Sequence, residues 1–220
     1  IPAHFIYVDD GSTDKTFSIL QSVAKDCGGT AIRLHENLGK SEAVRSGLLF
    51  ALASPIKPKI IGYLDADGAF PVPTVKEQVE KCKKLFKDSN EMYLMYIASR
   101  VGLAGRTIVR SQNRHYISRI LLSLLGFSGY FLPYDPQSGL KLINFRNQDI
   151  AEAIQDPFET RWFFDIELMW RLRIDVRNQV WEEPVSEWKD IEGSKLSWKS
   201  SFVVLKEFFL MYKKLRKRVR

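Results

Sequence analysis

The feature that most constrains this chain is an alternation: short apolar, β-rich runs that stop at acidic or glycine-bearing turns, separated by stretches of helical spacing. Phe5-Ile6-Tyr7-Val8 halts at Asp9-Asp10-Gly11-Ser12, which is turn chemistry. Thr13 or Asp14 can then cap a helix predicted over 15–27, whose apolar face carries Phe17, Ile19, Leu20, Val23 and Ala24. Gly28-Gly29 ends it, and 30–34 reads as a second strand. A helix over 41–52 and a strand over 59–64 follow, the latter terminating in Asp65-Ala66-Asp67-Gly68. After Pro71 and Pro73 the pattern gives a helix over 74–86 and a strand over 93–98. Strands alternating with helices in this way predict an α/β domain, its mostly parallel sheet covered by helices on both faces. Such sheets bind ligands at the carboxyl ends of their strands. Asp9-Asp10 and Asp65/Asp67 both fall there.

The second half is less regular. Helices are predicted over 111–125, 146–153 and 162–173, and a strand over 140–144. Glu182-Glu183-Pro184-Val185 sits near a strand end, and 188–198 reads as irregular. Residues 202–220 form a basic amphipathic helix, with Phe202, Leu205, Phe208, Phe209, Tyr212 and Leu215 mostly on one stripe. The expected division is one α/β domain over 1–200 and this C-terminal helix over 201–220.

The formal net charge is +7, and it is uneven: from Lys206 to Arg220 seven basic residues face one acid, Glu207. Such a tail suits an anionic membrane surface or nucleic acid. The longest uncharged run, Ile120 to Tyr134, is interrupted by Gly126, Gly129 and Pro133, and falls short of the roughly 18 apolar residues of a spanning helix. Cys27 and Cys82 have no metal-ligand spacing and are expected to be buried thiols of a reducing compartment.

Asp65 and Asp67 would point apart in a regular strand. At a strand terminus, with Gly68 next, the backbone can turn both toward one ligand. Two carboxylates can there hold a hard divalent cation, Mg²⁺ or Mn²⁺, against diphosphate oxygens. Asp9-Asp10 are suited to accept from ribose hydroxyls or a base N–H, with Gly11 permitting close backbone approach. Lys40 and Arg45 are cations that could meet a diphosphate, although the spacing is not that of a P-loop. Asp135, in Asp135-Pro136-Gln137-Ser138-Gly139, is the best candidate for a general base, or for a group that orients an acceptor already ionised. Arg100, Arg106, Arg110, Arg114 and Arg119 make the middle segment basic; Arg114 and Ser118, four apart on one helix face, can serve one anion. Asp165, between Phe164 and Ile166, reads as buried and able to orient a cation or close the cleft.

At this point the chain resembles the family 2 glycosyltransferases, in the branch that glycosylates polyprenyl or dolichyl phosphate. The stretches that carry the resemblance are Val8-Asp9-Asp10-Gly11-Ser12-Thr13-Asp14, Asn37-Leu38-Gly39-Lys40, Asp65-Ala66-Asp67-Gly68, Ala98-Ser99-Arg100, residues 135–141, residues 161–168 and Glu192-Gly193-Ser194-Lys195-Leu196. The first are common to many members, and the last three narrow the match. Residues 162–168 and 192–196 look most like dolichyl-phosphate beta-glucosyltransferases. The resemblance implies a GT-A (nucleotide-diphospho-sugar transferase) fold and inverting transfer of a hexose, glucose by preference, from a UDP- or GDP-sugar. It implies that Asp9, Asp10, Lys40 and Asp65 bind the donor, that Asp65 and Asp67 hold Mg²⁺ or Mn²⁺, and that Asp135 is the catalytic carboxylate. Arg100, Arg114 and Ser118 would bind the acceptor phosphate, with support from Gln137, Arg161 and Asp165. The expected partners are a nucleotide sugar, a polyprenyl or dolichyl phosphate and a membrane surface, with no nucleic acid. The expected location is at a membrane with the site facing the cytoplasm.

Three departures stand out. The family opens with a strand ending in Pro-Ala-Tyr-Asn-Glu, whereas Ile1-Pro2-Ala3 here runs straight into His4, as if the nucleotide-binding loop were absent. Ser138 stands where cysteine is usual. Ala69 stands where some relatives carry a Gln two residues after the second aspartate, a feature shared with the glucosyl branch. Two other readings compete. The same fold could glycosylate a glycan or protein hydroxyl, in which case Asp135 must be a true base. A non-catalytic module could bind nucleic acid through the tail, against the repulsion of the acidic strand ends.

Overall fold

The computed structural model describes residues 3–55, 58–89, 92–145, 149–191 and 198–219, with the side chains of 112–115, 149, 198–201 and 219 left aside. β1 (Ile6–Asp9), α1 (Thr16–Cys27) and β2 (Thr30–Arg33) form a parallel unit in which Ile6 is paired with Thr30 and Asp9 with Arg33. Asp14 Oδ1 accepts from the Thr16 N–H at 2.9 Å just ahead of α1, whose N-cap position is Lys15 and not the expected Thr13 or Asp14. At its far end Gly28 adopts φ 67°, a left-handed close open to glycine at little cost.

α2 (Lys40–Ala53) packs on both β1 and β3 (Ile60–Leu64). α3 (Val72–Asp88), entered through Pro71 and Pro73, leads to β4 (Met95–Ser99). Then come β5 (Thr107–Val109), α4 (Gln112–Gly126), β6 (Leu140–Asn144), α5 (Asp149–Ala153), α6 (Phe164–Arg171), α7 (Val176–Gln179), β7 (Val180–Pro184), β8 (Glu187–Lys189) and α8 (Trp198–Val219).

The central sheet has the order β3-β6-β4-β7. Its pairing is mixed, and over the whole chain the expected parallel ladders are β1–β2, β4–β7 and β5–β8. β4 and β7 run parallel, but β6 is antiparallel to both β3 and β4, with Leu64 opposite Leu140 and Met95 opposite Ile143. The physical reason lies in the preceding segment. Residues 130–139 run along the edge where β3 and β4 finish, so β6 must enter the sheet from that edge and run the other way. A short β5–β8 parallel pair stands beside it, in tracts that lack a legible strand pattern.

Helices do cover both faces. β4 is buried along its whole length, as a strand sandwiched between helical layers must be. Met95 and Ile97 join the larger core with Ile143, Leu125, Ile166, Phe163 and Met211, and Tyr96 and Ala98 join the smaller one with Cys82, Phe86 and Trp188. α8 begins at Trp198, three residues before the expected start of the C-terminal helix. Its inner face puts Phe208, Met211 and Leu215 into the larger core, and the Glu207 carboxylate accepts from the Trp162 N–H at 2.7 Å. Phe202, Val203, Leu205 and Phe209 remain exposed. Among the described residues no helix is long and apolar enough to cross a membrane. Of the two thiols only Cys82 is buried, and burial pushes it up to about 12; Cys27 is exposed, correcting the expectation for that residue.

Candidate active site

β3 ends at Leu64, β4 at Ser99 and β7 at Pro184, and β6 begins at Leu140, all on one edge of the central sheet. The turns beyond these ends converge. The Asp65 N–H donates to the Gly139 carbonyl at 2.8 Å. A Cβ on Gly139 would overlap the Asp65 carboxylate, so glycine is needed there for a close approach, not for its backbone angles. Asp65 Oδ2 accepts from Lys40 Nζ at 2.7 Å, and that ammonium lies 5.6 Å from the centre of the Phe164 ring. Asp67 is exposed, and its Oδ1 accepts from the Ala69 N–H at 3.0 Å across Gly68, at φ 77°.

Among the described residues no group of three or more His, Cys, Asp or Glu side chains can by itself enclose a metal ion. The Asp65/Asp67 pair fits a different kind of site, in which one or two carboxylates hold a hard cation and water and phosphate oxygens complete its shell. The Lys40 ammonium beside Asp65 shows that this position accommodates positive charge, and Asp67 Oδ2 has no hydrogen-bond partner among the described residues.

Asp9 is buried at the end of β1, where its Oδ1 accepts from the Ser12 N–H at 3.2 Å and its Oδ2 lies 3.3 Å from Arg33 Nε. Asp10 accepts from the Leu38 and Gly39 N–H groups, each at 2.8 Å, and so binds the β1 turn to the start of α2. Gly11, at φ 69°, packs against the Glu36-Asn37 backbone, so the close approach it permits is between two loops of the chain itself. Arg45 is bound to Glu42 at 2.8 and 2.6 Å and to the carbonyls of Ile154 and Gln155, which makes it a fastener of α2 and not a diphosphate ligand.

Asp135 is 4% exposed. Its Oδ2 accepts from Arg100 Nε at 2.7 Å and from the Arg100 N–H at 2.9 Å, and its Oδ1 accepts from Arg100 Nη2 at 2.6 Å. Arg110 Nη2 stands 3.8 Å away, and both guanidiniums lie over the Trp188 ring, at 5.1 and 5.8 Å. Burial pushes the Asp135 carboxyl up, but the charge and hydrogen bonds of Arg100, with Arg110 behind, outweigh it and hold the group at about 2. Glu182 on β7 steadies the same turn by accepting from the Tyr134 and Asp135 N–H groups at 2.7 and 2.6 Å.

Beneath these turns lies a buried cation. Lys141, on β6 opposite Tyr63, is fully buried and donates to the Ser138 carbonyl at 2.5 Å and to Asp165 Oδ1 at 2.6 Å. The Tyr63 hydroxyl donates to the same Asp165 oxygen. Burial pulls Lys141 below its ordinary value, against the raising effect of Asp165, and pushes Tyr63 well above its own. One ammonium thus joins the strand leading to Asp65, the turn carrying Asp135 and α6. Gln137 Nε2 donates to the Trp162 carbonyl at 2.9 Å, and the Arg161 side chain passes over Gly39.

Asp65, Lys40, Arg100, Asp135, Gln137, Arg161 and Asp165 are therefore brought into one neighbourhood, and Asp67 follows Asp65 at its rim. Ser118 is half-buried on α4. The Arg114 side chain and residues 192–196 lie outside what is described. Sequence reasoning gave no site role to Arg110, Trp188, Glu182, Lys141 or Tyr63. A lysine inside the apolar run Leu140-Lys141-Leu142-Ile143 was the available signal, since an inward charge on a buried strand needs a partner. Arg110 and Trp188 gave none, because their pairing depends on the β5–β8 ladder.

Residues 2–131 match the profile described as Glycosyl transferase family 2. The chain is 30% identical over 202 residues to the human dolichyl-phosphate beta-glucosyltransferase, covering 87% of this chain and 57% of that protein. It is 28% identical over 204 residues to the enzyme of the same name from Saccharomyces cerevisiae, covering 87% and 58%. The chain thus spans a little over half the length of the curated relatives it matches. Its fold is similar to that of glucosyl-3-phosphoglycerate synthase from Mycobacterium tuberculosis, solved with Mn²⁺, uridine-diphosphate-glucose and phosphoglyceric acid. The TM-score is 0.53 at 19% identity, over 97% of this chain and 67% of that one. The likeness establishes a GT-A-like arrangement, a mixed sheet flanked by helices.

Proposed function

This chain belongs to glycosyl transferase family 2, and from that premise we propose that it transfers a hexose, glucose in our reading, from UDP-glucose to a polyprenyl or dolichyl phosphate. The acceptor phosphate oxygen attacks the anomeric carbon, the bond from that carbon to the donor diphosphate breaks, and the nucleoside diphosphate leaves with the configuration inverted. The names of the curated relatives support this choice of sugar and acceptor.

The observation that carries the reading is the state of Asp135. A carboxylate held at about 2 by Arg100 is a weak base at neutral pH. A sugar or protein hydroxyl would need a stronger one. A lipid phosphate arrives ionised and needs only to be oriented and charge-neutralised. The geometry therefore favours the phosphate acceptor over the hydroxyl alternative, with Asp135 acting by fixing Arg100 rather than by removing a proton. Arg100 Nη1 has no hydrogen-bond partner among the described residues and is our choice to meet the acceptor phosphate, together with Arg114 and Ser118.

On the donor side Asp67 and Asp65 would hold Mg²⁺ or Mn²⁺. The cation, when bound, neutralises charge developing on the departing diphosphate. Lys40, displaced from Asp65, is then within reach of the same diphosphate, and Asp9 and Asp10 stand at the nucleoside end. The exposed apolar residues of α8 and its basic end support work at a membrane surface; that the site faces the cytoplasm is part of the same proposal.

The test is transfer from UDP- and GDP-sugars to a short polyprenyl phosphate, with and without Mn²⁺. Absence of metal-dependent turnover with every donor would sink the proposal. Asp135→Asn should abolish transfer and spare donor binding; loss of donor binding would place Asp135 in the nucleotide site instead.

A further inference from the structure

The single acid of the basic stretch from Lys206 to Arg220 is turned inward. Glu207 is 7% exposed and forms no ion pair among the described residues. Its Oε2 accepts from the Trp162 N–H at 2.7 Å. A carboxylate buried without a counter-charge is costly, and α8 is anchored by other means. Phe208, Met211 and Leu215 sit in the larger core, Lys214 reaches Glu159 and Glu167, and Arg218 donates to the Trp170 carbonyl at 2.6 Å.

The partner of Glu207 is an N–H that its own helix cannot serve. Trp162 stands ahead of Phe163, the N-cap position of α6, so its N–H has no acceptor within that helix. The neighbouring N–H groups of Glu159 and Thr160 are taken by Glu167, which belongs to α6 itself. Glu207 reaches the same segment from another element, 45 residues along the chain. On its other side Trp162 meets the site. Its carbonyl accepts from Gln137 Nε2 at 2.9 Å, and the Gln137 carbonyl accepts from Arg100 Nη2 at 3.1 Å. The same Nη2 donates to Asp135 Oδ1 at 2.6 Å. A continuous run of hydrogen bonds thus leads from α8 through Trp162 and Gln137 to the Arg100–Asp135 pair.

We propose that Glu207 is a positioning residue for the acceptor half of the site. By holding the Trp162 backbone it fixes where the Gln137 amide stands, and behind it Arg100. It touches no reacting group. The inference rests on the functional reading above for what is positioned, and on the hydrogen bonds for how. Without the carboxylate the Trp162 N–H must find another acceptor, and Gln137 follows the displaced carbonyl. Small misplacement of a positioning group costs about tenfold in rate.

Glu207→Leu removes the acceptor, and Glu207→Gln keeps an amide oxygen in its place. Arg218→Gln loosens α8 at its far end without touching Trp162. In transfer assays at saturating UDP-glucose, Glu207→Leu should lower kcat about tenfold, with the Kd for UDP-glucose by isothermal titration within about twofold of wild type. Glu207→Gln should recover the rate to within about threefold, and Arg218→Gln should keep it. Gln137→Leu should lower kcat by a similar factor, and adding Glu207→Leu to it should lower kcat no further, since both cuts fall on one line of contacts. Multiplied losses in the double variant, an equal loss in Arg218→Gln, or parallel losses of kcat and donor affinity would overturn the proposal. If Glu207→Leu does not fold, Glu207→Asp, which draws the acceptor back by one methylene, takes its place with the same expectations.

A second measurement needs no turnover. The side-chain amide resonances of Gln137, identified by their loss in Gln137→Leu, should shift and exchange faster with water in Glu207→Leu. They should stay in place in Glu207→Gln and Arg218→Gln. An amide unmoved by Glu207→Leu would refute the coupling. A wild-type chain that transfers no sugar from any donor would refute the proposed reaction, and the Gln137 amide would still decide whether Glu207 positions it.

Discussion

Arg100 holds Asp135 in a two-point grip, with Nε on Oδ2 at 2.7 Å and Nη2 on Oδ1 at 2.6 Å, in a place where the carboxylate is 4% exposed. Neither residue can change without stranding the other. The pair contributes to the stability of the domain at low pH and underlies the choice of acceptor proposed above.

The first prediction concerns pH. The folded-state carboxyl of Asp135 lies below its ordinary 3.8, at about 2, so its contribution is complete above the unfolded value and is lost as pH falls through about 2. A shift of nearly two units corresponds to about 2 kcal/mol. Urea titrations of wild type and Asp135→Asn should converge as pH falls from about 4 toward 2. The acid limb of the transfer rate should instead follow the second ionisation of the acceptor phosphate, near about 6. A phosphonate acceptor of altered pKa should move that limb, and an immobile limb would return Asp135 to consideration as a base.

Lys40 and a divalent cation contend for Asp65 Oδ2. With 42% of its side chain exposed, Lys40 contributes little to stability through this pair, under about 1 kcal/mol. Lys40→Met should therefore leave the melting temperature near wild type and tighten Mn²⁺ binding in the absence of donor. The same change should weaken nucleotide-sugar binding. Asp67→Asn should weaken Mn²⁺ binding. Isothermal titration of metal, then of donor, separates these outcomes.

Gly139 is constrained by a neighbour. In Gly139→Ala the new methyl meets the Asp65 carboxylate, which must turn from its present place beside Lys40. We expect a folded protein, destabilised by about 1–3 kcal/mol, with donor affinity falling more than acceptor affinity. Equal losses on both sides would mean that the strain reaches the Asp135 turn.

Lys141 and Asp165 form a fully desolvated pair. Lys141→Met should cost about 3–5 kcal/mol, because it leaves the Asp165 charge buried with Tyr63 as its remaining side-chain donor among the described residues. Combining it with Asp165→Leu should recover much of that loss. A double variant whose loss equals the sum of the single losses would show that the two residues act independently.

The local pattern was legible where one element sufficed to produce it. Apolar runs ending at Asp9 and at Asp65 marked β1 and β3, helical spacing marked α1 to α4, and the boundaries of β6 at Leu140 and Asn144 were readable from its apolar run. The acidic strand ends could be named as candidates because an α/β sheet collects its loops on one edge, and the Asp135 turn because of its turn chemistry after an apolar run and its resemblance to the family's motif. These depend on side-chain periodicity and turn chemistry, which are local properties of the chain.

Only the tertiary structure decided the direction of β6, since a strand of five residues reads the same in either sense and its orientation follows from the path of 130–139. It also decided that Asp135 is gripped by Arg100, that Lys141 is the shared counter-charge under the site, and that Arg110 meets Trp188. Each of these joins residues tens of positions apart, and their strength comes from exclusion of water. Burial of that kind belongs to the packed sheet and helices, so the amino-acid order alone names the charged groups but not which of them must share a dry interior.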